Sequence, residues 1–149
     1  MYRISFICLT FLCIIFPVSL AFAEIGGIPV CPQDRKTPQA PPKFLNLKNP
    51  LQQNKETLAA GKQLYEQSAQ PLQCKVCHGV KGNGLGEPGF ESNPPARNFT
   101  CSKTVKNFPD GQLFWVIKNG SPGTVMMGYS DLKDEDIWKL ILYIREFAK

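Results

Sequence analysis

Cys74-Lys75-Val76-Cys77-His78 is the stretch on which the reading of this chain turns. Two thiols two residues apart, followed at once by an imidazole, make the C-x-x-C-H pattern of covalent haem attachment. The spacing has a chemical reason. Each thiol can add to one vinyl group of the same porphyrin, and the next residue is then carried under the iron. An imidazole there binds metal only when neutral, and it is oriented by a hydrogen bond from its other nitrogen. His78 is the only histidine in the 149 residues, so no second imidazole competes with it. Two other chemistries use paired cysteines. A redox C-x-x-C belongs to a βαβ context, which does not follow here. A zinc site needs two more ligands at ordered spacing, and Cys31 and Cys101 lie far off and apart.

Working outward, five of the eleven residues from Gly79 to Gly89 are glycine. Such a loop uses left-handed backbone or lies against something flat, and wrapping the haem edge is its expected use. Gly82-Asn83-Gly84-Leu85-Gly86 lacks the preceding strand and the full spacing of a nucleotide loop. In Pro94-Pro95-Ala96-Arg97-Asn98-Phe99 a proline carbonyl is the expected acceptor for His78 Nδ1. Arg97 is a candidate partner for a haem propionate, because a guanidinium matches a carboxylate; its plainer role is a solvated surface arginine.

Helices flank this centre. Over Glu56 to Ser68, Leu58, Gly61, Leu64 and Tyr65 share one helical face. A glycine inside a helix costs about 1 kcal/mol relative to alanine, and close approach of a second helix accounts for Gly61. Asp110 is expected to cap a helix from Gly111 to Asn119 that Gly120 ends. That helix is apolar nearly all round and is expected to be buried. Trp115 either reaches a propionate with its indole N–H or is plain core. Asp134 to Ala148 reads as the last helix, acidic at its start as the dipole prefers, with Ile137, Leu140, Ile141, Ile144 and Phe147 as its stripe. No stretch reads as a convincing strand, so the expected class is all-α, a small helical domain wrapped around one covalent haem.

The N-terminal third is different material. Residues 1–23 read as a signal peptide: Arg3, an apolar run from Ile4 to Phe16, then Ala21-Phe22-Ala23 as a small-x-small cleavage site. The alternative is an uncleaved membrane anchor through residues 4–23, since the apolar run approaches spanning length. Residues 24–54 hold six prolines and no helical period, which makes them an extension, either a flexible tether or an arm pinned by Phe44, Leu45 and Leu47. Residues 55–149 form the haem domain. With Cys8 and Cys13 leaving with the signal and Cys74 and Cys77 on haem, Cys31 and Cys101 are the cysteines left to pair in an oxidising compartment. The chain carries 17 basic and 12 acidic side chains, a net +5. That is too weak and scattered for nucleic acid but enough to favour acidic protein surfaces.

From about Glu56 onward the chain resembles the class I monohaem cytochromes c of bacterial type. The matching residues are Gly61 and Tyr65, the run Cys74 to Gly79, the loop Gly123-Thr124-Val125-Met126, and Asp136 to Ile144. The resemblance implies that the first and last helices cross at Gly61 and Tyr65 against Leu140 and Tyr143. It also places the distal iron ligand at Met126, with Tyr129 as the family's aromatic three residues on. Met127 stands where the family often has proline, and is the second choice. Beyond the first residue these are the chain's only methionines, and neighbours on an extended loop point to opposite sides. The 71 residues after His78 argue against the four-helix cytochrome c′ type, whose haem motif lies near its C-terminus. The extension and the Cys31/Cys101 pair fall outside the common pattern.

The function these readings imply is electron transfer outside the cytoplasm, in the periplasm, by one haem c on Cys74 and Cys77 with His78 and Met126 as axial ligands. The protein is then a carrier and not an enzyme. Its partners are a redox donor and acceptor with acidic docking surfaces, met by lysines such as Lys75, Lys81, Lys103, Lys106 and Lys118. Nucleic acid is not a partner, and a membrane is one only if the signal is uncleaved. The alternative is a haem enzyme or gas sensor with an open distal iron site.

Overall fold

The computed structural model describes residues 28–149. The expected signal peptide, its anchor alternative, and Cys8 and Cys13 lie outside the described residues. The elements are α1 (Pro42–Leu45), α2 (Lys55–Gln63) opening into a π turn (Leu64–Ser68), α3 (Cys74–His78), α4 (Ser102–Val105), α5 (Asp110–Asn119) and α6 (Asp134–Glu146). Among the described residues there is no strand, so the all-α expectation holds.

Helix α2 begins one residue earlier than the sequence suggests because of a reciprocal cap. Asn54 Oδ1 accepts from Thr57 N at 2.8 Å, and Asn54 N donates to Thr57 Oγ1 at 3.0 Å, which satisfies amides the first turn leaves open. Its other face crosses α6 at Gly61. A Cβ built there would lie 2.9 Å from the Lys139 carbonyl carbon, 3.0 Å from Tyr143 Cβ, and closer still to the Lys139 oxygen. Tyr65, fully buried, meets Tyr143 edge-on at 5.4 Å and Phe147 at 5.3 Å between ring centroids. The crossing expected at Gly61 and Tyr65 is therefore present.

Helix α5 departs from expectation at its start. Pro109, not Asp110, holds the cap position, with its carbonyl accepting from Gln112 N and Leu113 N. Asp110 is the first helical residue, and its carboxylate receives Arg145 Nη2 of α6 at 2.6 Å. The same guanidinium donates to the carbonyls of Val105 and Phe108, both at 2.6 Å. Asp110 thus joins two helices through Arg145. On its inner face α5 is buried: Phe114 stacks on Trp138 at 4.4 Å and faces Phe44 of α1 at 6.3 Å.

The extension lies on the domain as an arm. Gln112, only 4% exposed, has its amide satisfied by it, since Ala40 N donates to Oε1 at 2.8 Å and Nε2 donates to Pro38 O at 3.0 Å. A buried amide without those partners would be costly. Gly111 has no side chain because the Phe44 backbone occupies that space. Cys31 and Cys101 are joined by a disulfide across 70 residues of sequence, with a Cα–Cα separation of 5.4 Å. In the chain-entropy account such a closure contributes about 4 kcal/mol. Thiol labelling of denatured, unreduced holoprotein lacking residues 1–23 is expected to find no reactive cysteine. Two labelled thiols would leave the arm without its tie.

The glycine-rich loop is not a rim of the haem cleft. Its five glycines all have positive φ, as expected, but none of them lines the cleft, and Gly79, Gly82 and Gly84 are bonded to the chain around α3. Gly84 N donates to His78 O at 2.9 Å, Phe99 N donates to Gly82 O at 2.6 Å, and the Tyr65 hydroxyl donates to Gly79 O at 2.8 Å. At Gly82 a side chain would meet the Phe147 ring at 2.6 Å. The loop buttresses the haem motif from the rear.

Candidate haem site

Helix α3 is a single turn carrying the whole motif, and Gly79 ends it at φ 76°. That turn puts Cys74, Cys77 and His78 on the wall of one cleft of about 740 Å3. A second lobe of about 540 Å3 adjoins it and shares His78, Arg97, Phe99, Ile117 and Met126. The walls are mainly apolar, from Leu72, Phe99, Ile117, Leu140 and Ile144.

His78 is buried, and its ring stacks on Phe99 at 4.4 Å. Nδ1 lies 3.0 Å from the Arg97 carbonyl. The expected acceptor was a proline carbonyl. Arg97 offers the carbonyl to the ring, while the Pro95 carbonyl accepts from Arg35 Nη1 at 2.9 Å and that of Ala96 from Gln33 Nε2 at 2.8 Å. Burial pushes the His78 imidazole down to about 4, against a smaller upward pull from that carbonyl. The ring is therefore neutral, with Nδ1 as donor and Nε2 as the nitrogen left for a metal. Burial raises the Cys74 thiol to about 12 and also raises Cys77. A thiol–disulfide catalyst lowers its thiol pKa to make a thiolate; these two are shifted the other way.

Another part of the wall comes from the loop after α5. Ser121 N donates to Met126 O at 3.0 Å, Met126 N donates to Thr124 Oγ1 at 3.1 Å, and Tyr129 N donates to Ile117 O at 2.9 Å. The Tyr129 hydroxyl donates to Leu72 O at 2.6 Å, tying the loop across to the chain before the motif. Met126 is half-buried, packs on the core and lines both lobes. Met127 lines only the larger lobe and is 43% exposed.

Arg97 lines both lobes and is 7% exposed. Burial and the nearby Arg35 hold its pKa down at about 10. Trp115 is not brought to the cleft. On α5 the cleft-lining side chains are Gln112, Leu113, Val116 and Ile117, one face of the helix, and Trp115 lies half-buried off it. Sequence reasoning missed Arg35, which lines both lobes from the arm. One signal could have found it: if Cys31 pairs with Cys101, then Arg35 and Arg97, four residues inward from each cysteine, come together. Among the described residues no three His, Cys, Asp or Glu side chains gather as a metal site. The residues present fit a haem: paired thiols, a neutral imidazole, a thioether on the same cleft, apolar walls and two guanidiniums.

Residues 56–144 match the family described as cytochrome c oxidase, cbb3-type, subunit III. No curated protein matches the chain significantly. Among solved structures, the reducing HAO-like protein complex of Kuenenia stuttgartiensis contains a similar chain, 28% identical with a TM-score of 0.54. The similarity covers 70% of this chain and 49% of that one, so the match spans about half of the longer relative. The family match takes in well over half of the present sequence, and with it the protein belongs to this family of c-type cytochrome domains.

Proposed function

We propose that the protein carries single electrons outside the cytoplasm on one haem c, bound through Cys74 and Cys77 and ligated by His78 and Met126. The observation that carries this reading is the convergence of those four side chains on one apolar cleft. Bound there, the group supplies an iron centre that exchanges one electron without bond rearrangement. The chain's own residues do the rest. Arg97 O fixes the His78 tautomer, the walls keep water away, and a thioether ligand favours the reduced state and raises the potential. Arg97 is the propionate partner supported by position; Trp115 has no place at the cleft.

The paired cysteines of the arm and the signal-like residues 1–23 support a periplasmic site, with anchoring through residues 4–23 as the variant form. The role is a carrier's. An enzyme or gas sensor needs a vacant distal face, and Met126 on the cleft wall supports a filled one. The partners are redox proteins with acidic docking surfaces, and the relative within a multi-protein complex supports docking onto a larger assembly. Lys75 pairs with Glu87 at 3.2 Å, and Lys118 pairs with Asp134. The exposed Lys81, Lys103 and Lys106 are therefore the better docking candidates. No helix among the described residues is long and apolar enough to cross a membrane.

The test is attachment. After expression with a c-haem assembly system, acid–acetone extraction is expected to leave the pigment on the polypeptide. Cys77→Ser is expected to keep haem by one thioether with a shifted spectrum. Pigment that extracts from the native chain would overturn the reading.

A further inference from the structure

Two cations face the cleft and no anion does. Arg35 lines both lobes, although it lies 39 residues before the haem motif. Arg97 lies beside it and lowers its burden only partly, through Thr37 Oγ1 at 2.6 Å from Nη2 and the Phe108 ring at 5.6 Å. Among the described residues neither arginine pairs with a carboxylate, and no Asp or Glu lines either lobe. Two partly desolvated guanidiniums in one cleft are unfavourable unless an anion joins them.

The arm that brings Arg35 is built to hold it there. Gln33 grips the segment on both sides: Nε2 donates to Ala96 O at 2.8 Å, and Oε1 accepts from Asn98 N at 2.9 Å. Asn98 Nδ2 returns a bond to Val30 O at 3.0 Å. Arg35 Nη1 spends one donor on Pro95 O at 2.9 Å; a guanidinium has five. The gripped residues include Arg97, whose carbonyl orients His78.

We propose that the N-terminal arm is part of the haem-binding site, with Arg35 as the second cationic ligand for the cofactor's carboxylates beside Arg97. This rests on the haem reading above. A haem carries two propionates, so the count of cations matches the count of anions. The arm is then a fitted strap that closes the cleft from a part of the chain outside the family's matched residues 56–144.

The consequence is electrostatic. A positive charge beside the cofactor favours the reduced iron, so losing Arg35 shifts the couple toward the oxidised form. The experiment is an equilibrium redox titration of holoprotein carrying both thioethers. Arg35→Gln is expected to change the reduction equilibrium by about tenfold, the size expected for one partly screened charge, equal to about 59 mV for one electron. Arg35→Lys keeps the charge and is expected to recover most of the shift. Lys55→Gln removes the same formal charge from an exposed site that lines neither lobe, and is expected to shift the equilibrium less than twofold. Variants are compared only where the visible spectrum shows the iron ligation of the native protein, so the outcome is read apart from the His/Met assignment. Arg35→Gln matching Lys55→Gln, or Arg35→Lys shifting as far as Arg35→Gln, would overturn the proposal.

Discussion

Met126→Ala is expected to abolish the methionine-to-iron band at the red end of the visible spectrum and to lower the reduction potential. Met127→Ala is expected to leave the band in place. Axial ligation moves haem potentials over roughly 0.8 V, so a drop on the order of 0.1 V or more is a modest share of that range. The loop makes the two neighbours unequal. Met126 has its N–H and its carbonyl both engaged in closing the turn on Ser121 and Thr124, and its side chain is half-buried against the core. Met127 also borders the larger lobe but is 43% exposed. At Gly120 a side chain would meet Met126 O at 2.7 Å, so the turn that presents Met126 is close-packed from below. Optical spectra and potentials of the two single variants, prepared separately, check the assignment. Loss of the band in Met127→Ala alone would move the ligand by one residue.

Gly61→Ala is expected to destabilise the protein by about 1–3 kcal/mol, the usual range for overpacking a filled core. Taken alone, the substitution improves the helix by up to about 1 kcal/mol. The crossing decides the sign. The new methyl would meet the Lys139 carbonyl, which is backbone inside α6 and cannot rotate away as a side-chain tip can. Helix separation is the only relief, and it would pull Tyr65 from Tyr143 and Phe147. A larger residue such as leucine should cost more. Chemical denaturation of the holoprotein gives the midpoint. An unchanged or raised midpoint would mean that α2 and α6 do not touch at Gly61.

The haem motif, the helix pair at Gly61 and Tyr65, and the meeting of His78 and Met126 on one cleft were legible in sequence because each is a local pattern with one physical reading. C-x-x-C-H is a spacing, Gly61 a gap in a helical face, and Met126 and Met127 the only thioethers in reach. What was not legible depends on contacts far apart in the chain. Which carbonyl holds His78 depends on how residues 94–98 lie in space, and that segment is gripped by Arg35 and Gln33 from about sixty residues upstream. Asp110 looked like a cap because caps are judged from neighbours along the chain, and Arg145 of α6 claims it instead. Trp115 was a candidate for its indole N–H, with plain core as the other reading; the phase of α5 carries Leu113, Val116 and Ile117 to the cleft and leaves it aside. The glycine loop was read correctly in backbone conformation and wrongly in position, since positive φ says how a chain turns and not what it turns around.

The Cys31–Cys101 bridge encloses the haem motif within its own covalent ring, while Met126 and α6 lie outside that ring. The two axial sides are therefore unequal in how they can come apart. On the imidazole side, the chain is closed at Cys31–Cys101 and would be pinned again at each thioether, so His78 can stray only as far as a ring with internal crosslinks permits. On the thioether side, Met126 sits on a turn held by hydrogen bonds and packing with no covalent crosslink, which can open without breaking a covalent bond. With the proposed His78/Met126 ligation, local opening would expose the iron from one direction only. Small external ligands would arrive by displacing the methionine, and the histidine would be the last contact to go.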